Sequence, residues 1–383
     1  MSAAYLDNAA TTPVAPEVAE AMLDVYQHAF GNPSSSHAVG RKAKALVETS
    51  RRAIAARLKC APRSICFTSG GTEADNHAIS AAVGCLGVTR IVTSAAEHSA
   101  VVKASASMEA KGVEVVHVRH LPCGEVDMAH LRELLEDASA KTLVSLMHAN
   151  NEVGVMIDLQ AVGKLCRTHG ALFHSDTVQT MGHYPMDLSE VDIDFLACSA
   201  HKFHGPKGSG FLYTNPDLRI DGMIVGGGQE RAMRGGTENV AGIVGLAKAF
   251  ELAFVHMVEH ESHVRGVKQL MVDGLRNRLP EVVFNGNSDQ EDRLYTVLNV
   301  KFPPHPNSGM ATFLLDLEGV ACSGGSACSS GATQGSHVLR ALGCQDPQRA
   351  SVRFSFSRYT TSADIDKALD AVDKVFAPVL VEG

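Results

Sequence analysis

Five compact apolar runs recur through the middle of the chain: RIVTS (90–94), VEVVHV (113–118), TLVSLMHA (142–149), ALFHS (171–175) and DFLACS (194–199). Helical stretches separate most of them. A strand that is apolar along its whole length, rather than at alternate positions, must be covered on both faces. Alternation with helices supplies those covers and implies a mainly parallel sheet, so the expected fold class is α/β. The pattern also indicates where chemistry belongs, because ligands of such sheets bind beyond the carboxyl ends of the strands. Two amphipathic helices, EVAEAMLDVYQHAF (17–30) and 39–58, come first. SICFTSGGTEADNHAIS (64–80) then reads as a short β-prone run, a small-residue turn and a helix. Around 255–265 the pattern shifts to a long polar helix. It is followed by the strand LYTVLNVKF (294–302), a helix near 309–317, the strand ASVRFSFS (350–357) and a final helix over roughly 362–377. This second series predicts a smaller α/β domain at the C-terminal end.

Composition narrows the function classes. A chain of 383 residues can bury a large core. A net charge of −8, with no basic run, argues against nucleic acid or an anionic membrane as the main partner. No apolar run approaches membrane-spanning length. The opening MSAAYLDNAATTP has neither a signal nor a transit pattern, so a cytoplasmic protein is expected. The nine cysteines are odd in number and contain no C-x-x-C, which predicts reduced thiols and gives no support to a zinc ribbon or a thioredoxin-like site. No metal-ligand spacing occurs among the 18 histidines.

Three stretches carry possible chemistry. TSGGTEADN (68–76) places Gly70, Gly71 and Thr72 at a strand-to-helix turn, where free amides and the helix dipole favour a phosphate. A capped helix after a tight turn would read the same. HSDTVQT (174–180) ends a strand with Asp176 and Gln179. A carboxylate there must find a partner or lose its charge; it could cap the next helix or pair with a cationic ring nitrogen. SAHKFHGPKGSG (199–210) follows the next strand with Lys202 beside His201, and Lys207 is a rival in the same loop. A desolvated lysine becomes a nucleophile able to form a Schiff base. Together, a phosphate turn, an Asp and a Lys after successive strands are the parts that a pyridoxal-phosphate enzyme needs. A fourth stretch, ACSGGSACSSGA (321–332), sets Cys322 and Cys328 among Gly, Ser and Ala, the setting of a thiol that travels rather than one that packs.

With these motifs in order, the sequence resembles the cysteine desulfurases of the NifS/IscS type. The matching blocks are LDNAATTP (6–13), FGNPSSSH (30–37), TSGGTEADN, AAEHSAV, MHANNEVG (147–154), HSDTVQ, SAHKFHGPKG, GGGQERAMRGGTENV (226–240), SGGSACSSG and SVRFS, from the first residues to the last strand. The resemblance implies a class V aminotransferase relative of the fold-type I pyridoxal-phosphate class. It would have a seven-stranded, mainly parallel sheet in a large domain over 14–257. A small domain of 1–13 and 258–383 would carry a mobile cysteine loop at about 322–336. By the same resemblance Lys202 would be the Schiff-base lysine, Asp176 would pair with the pyridine nitrogen and Gln179 would bond the ring oxygen. His98 would stack on the ring and move protons. Gly71, Thr72, Ser199 and His201 would hold the phosphate, and Thr237 would reach the phosphate of the other subunit of a homodimer. Asn151 would contact the cofactor and, with Arg353, the substrate carboxylate, for which the planar guanidinium fork is suited.

Cys328 falls on the nucleophile of the family. The implied reaction converts L-cysteine to L-alanine and leaves a persulfide on Cys328, whose outer sulfur passes to an acceptor protein for iron–sulfur cluster assembly, other sulfur cofactors or tRNA thiolation. No metal is expected in the cofactor site, although Cys328 could ligate an iron–sulfur cluster transiently. Cys322 is not at the matching position and reads as a bystander. Two departures concern the acceptor: GATQGSHVLR (331–340) stands where many relatives have a Glu-Pro pair, and VFAPVLVEG (375–383) is shorter than the C-terminal extension of relatives that serve the housekeeping scaffold. The competing readings are a selenocysteine lyase, another aminotransferase-type reaction, and a non-catalytic sulfur carrier.

Overall fold

The computed structural model describes residues 3–324 and 335–377. The Cys328 segment lies outside the described residues. Seven strands form the main sheet. In spatial order they are Ile65–Thr68, Gly210–Thr214, Phe195–Ser199, Leu172–Asp176, Thr142–Ser145, Arg90–Thr93 and Glu114–His117. The four pairings from Phe195–Ser199 outward to Glu114–His117 are parallel, while Gly210–Thr214 runs antiparallel to both of its neighbours. Two reversals cancel. Ile65–Thr68 therefore points the same way as the parallel strands, and its carboxyl end opens on the same edge as those of Leu172–Asp176 and Phe195–Ser199.

The strands are apolar throughout because both faces are covered. Leu143, Phe195, Ala197 and Leu212 pack against the helices Gly71–Gly84 and Ser99–Glu109 on one side. Val144, Phe173, Leu196 and Phe211 pack into the larger cluster with Val47, Ile54, Val162, Leu246 and Phe250 on the other. The helices of that second layer are Ala38–Arg57, Leu159–Thr168 and Val240–Val255. Burying side chains of this size contributes about 1.5–3 kcal/mol each.

A second core is formed by Leu6, Met271, Leu275, Leu298, Phe302, Phe354, Phe356, Leu369 and Val372. It lies between the antiparallel strands Val283–Phe284, Val297–Lys301 and Ser351–Ser355 and the helices Met257–Arg278 and Ser362–Val375. Phe302 and Phe376 stack with their ring centroids 4.2 Å apart. The N-terminal strand Ala4–Tyr5 pairs in parallel with Val320–Ala321, so the start of the chain joins this smaller α/β unit. Among the described residues no single helix is long and apolar enough to cross a membrane.

Candidate active site

The carboxyl edge of the sheet opens into a cavity of about 410 Å³, within the range of roughly 300–1,000 Å³ typical of small-ligand sites. Among the residues singled out from sequence, its lining includes Gly70, Gly71, Thr72, His98, Asn151, Asp176, Gln179, Ser199, His201, Lys202 and Arg353. Neighbouring strands deliver the central pair. Asp176 is the last residue of its strand and sits opposite Ala197 of the next, whose chain continues through Ser199 into the turn Ala200–Lys202. Lys202 Nζ donates to the carbonyls of Ala9 at 2.6 Å and Ala10 at 2.8 Å. The N-terminal LDNAATTP segment is thus folded onto the lysine. Lys207 also borders the cavity but is exposed, whereas Lys202 is half-buried.

The turn after Ile65–Thr68 is built for close approach. Gly210 pairs with Thr68 on one side and Ser199 on the other. A Cβ at Gly210 would lie 2.3 Å from the Cys198 carbonyl and 2.8 Å from Gly70 Cα. A Cβ at Gly71 would lie 2.6 Å from Val178 Cγ2. Glycine at both positions draws the turn against Ser199. Among the described residues no side chain caps the helix that begins at Gly71. Its first amides and the positive end of its dipole are thereby left for an anion in the cavity that Gly70, Gly71 and Thr72 line.

The floor of the cavity is electrostatically loaded. Asp75, His98 and Asp176 bring side-chain atoms within 4.8 Å of one another. Asp176 is buried, and burial raises its pKa against the opposing pull of His98 and of the amide of Val178. Asp75 is fully buried, and neither carboxylate oxygen has a hydrogen-bond partner among the described residues; His174 Nε2 is 3.4 Å away. Burial, with Asp176 and Glu97 nearby, drives the Asp75 pKa well up. Burial likewise raises Glu97, whose carboxylate accepts from the Met147 amide at 2.8 Å. Burial and mutual repulsion thus disfavour the charged forms of Asp75, Asp176 and Glu97 together, and a cation placed beside Asp176 would relieve that. Asp75 lies within the TSGGTEADN motif, which by itself gives it no role. Its signal was a carboxylate on the otherwise small-residue face of the helix, among Gly71, Ala74 and Ala78.

His98 caps the helix Ser99–Glu109, with Nδ1 accepting from the Ala100 amide at 3.2 Å. That bond fixes the proton of the neutral ring on Nε2. Burial lowers the pKa of His98, against Asp176, which raises it. His201 Nδ1 lies 3.1 Å from Thr11 Oγ1, and burial brings its pKa down to about 4. Arg353 is 1% exposed. It donates to the Asn151 carbonyl and to Asp7 Oδ1, each at 2.9 Å. The Asn151 side-chain oxygen is buried without a hydrogen-bond partner among the described residues. Thr237 is exposed on an adjoining cleft of about 210 Å³ with Arg234 and Glu238; Ser69 and Gly208 border both spaces, but Thr237 does not line the main cavity. Cys322 borders the second core, and burial, then Asp7, raises its thiol to about 12.

A model of the aminotransferase class-V family matches residues 4–368. The cysteine desulfurase IscS of Salmonella schwarzengrund is 40% identical over 378 residues, covering 97% of this chain and 92% of that protein. A solved NifS-like protein superposes with a TM-score of 0.88 at 34% identity, covering 98% of this chain and 99% of its own. The structure of SspA in complex with cysteine superposes with a TM-score of 0.80 at 29% identity, covering 93% and 99%. With the lysine, the acidic floor and the anion turn all on one edge of the sheet, the chain belongs to the class V aminotransferases, in the group that contains the IscS cysteine desulfurases.

Proposed function

We propose that this protein is a cysteine desulfurase that uses pyridoxal 5′-phosphate, converts L-cysteine to L-alanine and retains the sulfur on Cys328. The observation that carries the reading is the convergence of Lys202, Asp176, His98 and Arg353 on one cavity beside an uncapped helix start. The residues present fit the cofactor. Gly70, Gly71 and Thr72 line the cavity at a helix start that suits a phosphate, and the buried Asp176, its pKa raised by burial, suits a cationic ring nitrogen. Gly71, Thr72, Ser199 and His201 would hold the phosphate, Asp176 the ring nitrogen, Gln179 the ring oxygen and Lys202 the covalent bond, with Asn151 and His98 against the ring. When bound, the cofactor withdraws electrons from the substrate, which acidifies Cα–H and weakens the Cβ–S bond.

The chain's own residues do the rest. Arg353 and Asn151 orient the substrate carboxylate. Asp176 holds the charge that keeps the ring nitrogen protonated. Lys202 Nζ moves the Cα proton, and its contacts with Ala9 and Ala10 fix the nitrogen at the cavity wall. His98, neutral with its proton on Nε2, exchanges a proton with the substrate thiol. The Cys328 thiolate takes the sulfur, so that L-cysteine and one enzyme thiol become L-alanine and one persulfide. The persulfide then serves an acceptor protein in iron–sulfur cluster assembly or a related sulfur pathway. We further propose a homodimer in which Thr237 completes the partner's phosphate site, a division into domains at 14–257 and at 1–13 with 258–383, and a cytoplasmic location. The free thiols of the described cysteines suit a reducing compartment.

The test is incubation of the purified protein with L-cysteine and a thiol reductant, without a 2-oxo acid. Equimolar alanine and sulfide are expected. Turnover that requires a 2-oxo acid and releases no sulfide would overturn the reading in favour of an aminotransferase. A specificity constant at least a hundredfold higher for L-selenocysteine would favour the lyase.

A further inference from the structure

Arg353 is not waiting with an empty fork. Its Nη2 donates to Asp7 Oδ1 at 2.9 Å, and the same oxygen accepts from Ser323 Oγ at 2.9 Å. The backbones of Ser323 and Arg353 are also bonded to each other in both directions, at 2.7 and 3.2 Å. Asp7 is held from its own side, where its backbone bridges to Ser355. Arg353 is 1% exposed, and its Nε has no hydrogen-bond partner among the described residues. The guanidinium that lines the cavity therefore already carries a resident carboxylate, placed by the N-terminal segment.

We propose that Asp7 is a positioning residue for Arg353: it is a built-in counter-anion that weakens the hold of Arg353 on any incoming carboxylate. This rests on the reading of Arg353 as the substrate-carboxylate site. The physical reason is direct. In a site shielded from water, a second anion beside one guanidinium meets the repulsion of the first. The penalty falls on the carboxylates of L-cysteine and L-alanine alike, so it weakens the hold on both and keeps the product from being retained. Asp7 thus favours release of product while keeping Arg353 neutralised between turnovers, when an unpaired buried charge would be costly. Ser323 is the second donor on Asp7 Oδ1 and helps to hold the carboxylate in place.

Asp7→Asn tests this, because the amide oxygen preserves an acceptor for both Arg353 and Ser323 and only the charge is lost. Binding is read on the pyridoxal-loaded protein in two ways, by the cofactor absorbance change and by the shift in melting temperature that each ligand produces. The probes are L-alanine and L-alaninamide, which lacks the carboxylate. Asp7→Asn is expected to tighten L-alanine binding about tenfold or more, to enlarge the alanine-induced melting shift, and to leave alaninamide within twofold. KM for L-cysteine should fall while kcat does not rise. Alanine affinity unchanged within twofold, or an equal change for both ligands, would overturn the proposal. Arg353→Lys separates it from the underlying reading. If that variant weakens alanine binding while Asp7→Asn has no effect, only the role of Asp7 fails; if neither affects alanine, both fail. Should Asp7→Asn not fold, Asp7→Ser removes the same charge and carries the same test.

Discussion

The pair Arg51–Glu230 ties the loop that carries Thr237 to the sheet, and Glu230→Gln should expose how strongly. Two parallel bonds of 2.7 Å join the guanidinium to the carboxylate, and both side chains are 2% exposed. Glu230 Oε2 also accepts from the Phe67 amide at 2.8 Å, Arg51 Nη1 donates to the Ile65 carbonyl at 2.8 Å, and the guanidinium lies 4.6 Å from the centre of the Phe67 ring. Glu230, Arg231 and Ala232 have φ of 46°, 57° and 65°. Left-handed backbone at such residues costs on the order of 1 kcal/mol each. The ion pair offsets that cost. Replacing the carboxylate by an amide leaves Arg51 with Glu48, 3.2 Å from Nε, as its nearest counter-charge. Coulomb's law at about 4 Å and an effective dielectric of about 20 gives roughly 4 kcal/mol, in line with the 3–5 kcal/mol typical of breaking a buried pair. At about 2–4 °C per kcal/mol for a unit of this size, melting should fall by about 10 °C. Chemical denaturation followed by circular dichroism gives the free energy directly. Arg51→Met with Glu230→Leu should recover more than half of the loss, since neither charge is then buried alone. A loss below about 1 kcal/mol for Glu230→Gln would refute the reasoning.

Gly71→Ala should fold and keep its sheet but retain pyridoxal phosphate at least tenfold more weakly, as read by equilibrium dialysis, because its Cβ would meet Val178 Cγ2 at 2.6 Å. Lys268 gives a pH signature. It is 6% exposed, donates to the Leu294 carbonyl, and burial brings its pKa down to about 7. Between pH 7 and about 10.4 the unfolded chain binds the extra proton, so stability should rise with pH by up to ~1.4 kcal/mol per unit and level off below pH 7. Lys268→Met should flatten that slope and stabilise the protein in the acid range; an unchanged slope in urea titrations at several pH values would contradict this.

Much of the architecture is legible in sequence because burial on both faces leaves a plain mark: RIVTS, TLVSLMHA and DFLACS each become a strand of the main sheet. The reversed strand Gly210–Thr214 is harder to see. It follows the lysine loop through glycines that read as turn, yet Gly210 is needed for close packing against Cys198 and Gly70. The helix Val240–Val255 hides for a different reason: VAGIVGLAKAFELAFV has two charged residues and no polar face to set a helical period.

In the site, Asp176 and Lys202 lie at or just past strand ends and can be found by motif. The groups that meet other side chains cannot. The local pattern does not choose between Lys202 and Lys207; the family resemblance points to Lys202, and in the structure the Ala9 and Ala10 carbonyls meet its Nζ while Lys207 is exposed. Asp7 faces Arg353 across 346 residues of chain, and Asp75 faces Asp176 from another element. Such pairings arise from tertiary contact, which no local pattern encodes.

The most direct measurement is sulfide and alanine release by Cys328→Ser loaded with pyridoxal phosphate, alongside mass mapping of the unmodified enzyme after a single turnover with L-cysteine. One added sulfur on Cys328, and a Cys328→Ser variant that keeps the cofactor spectrum while sulfide falls at least a hundredfold, are the results expected. Undiminished sulfide from Cys328→Ser, or the added sulfur on another cysteine, would contradict the assignment of Cys328 as sulfur acceptor.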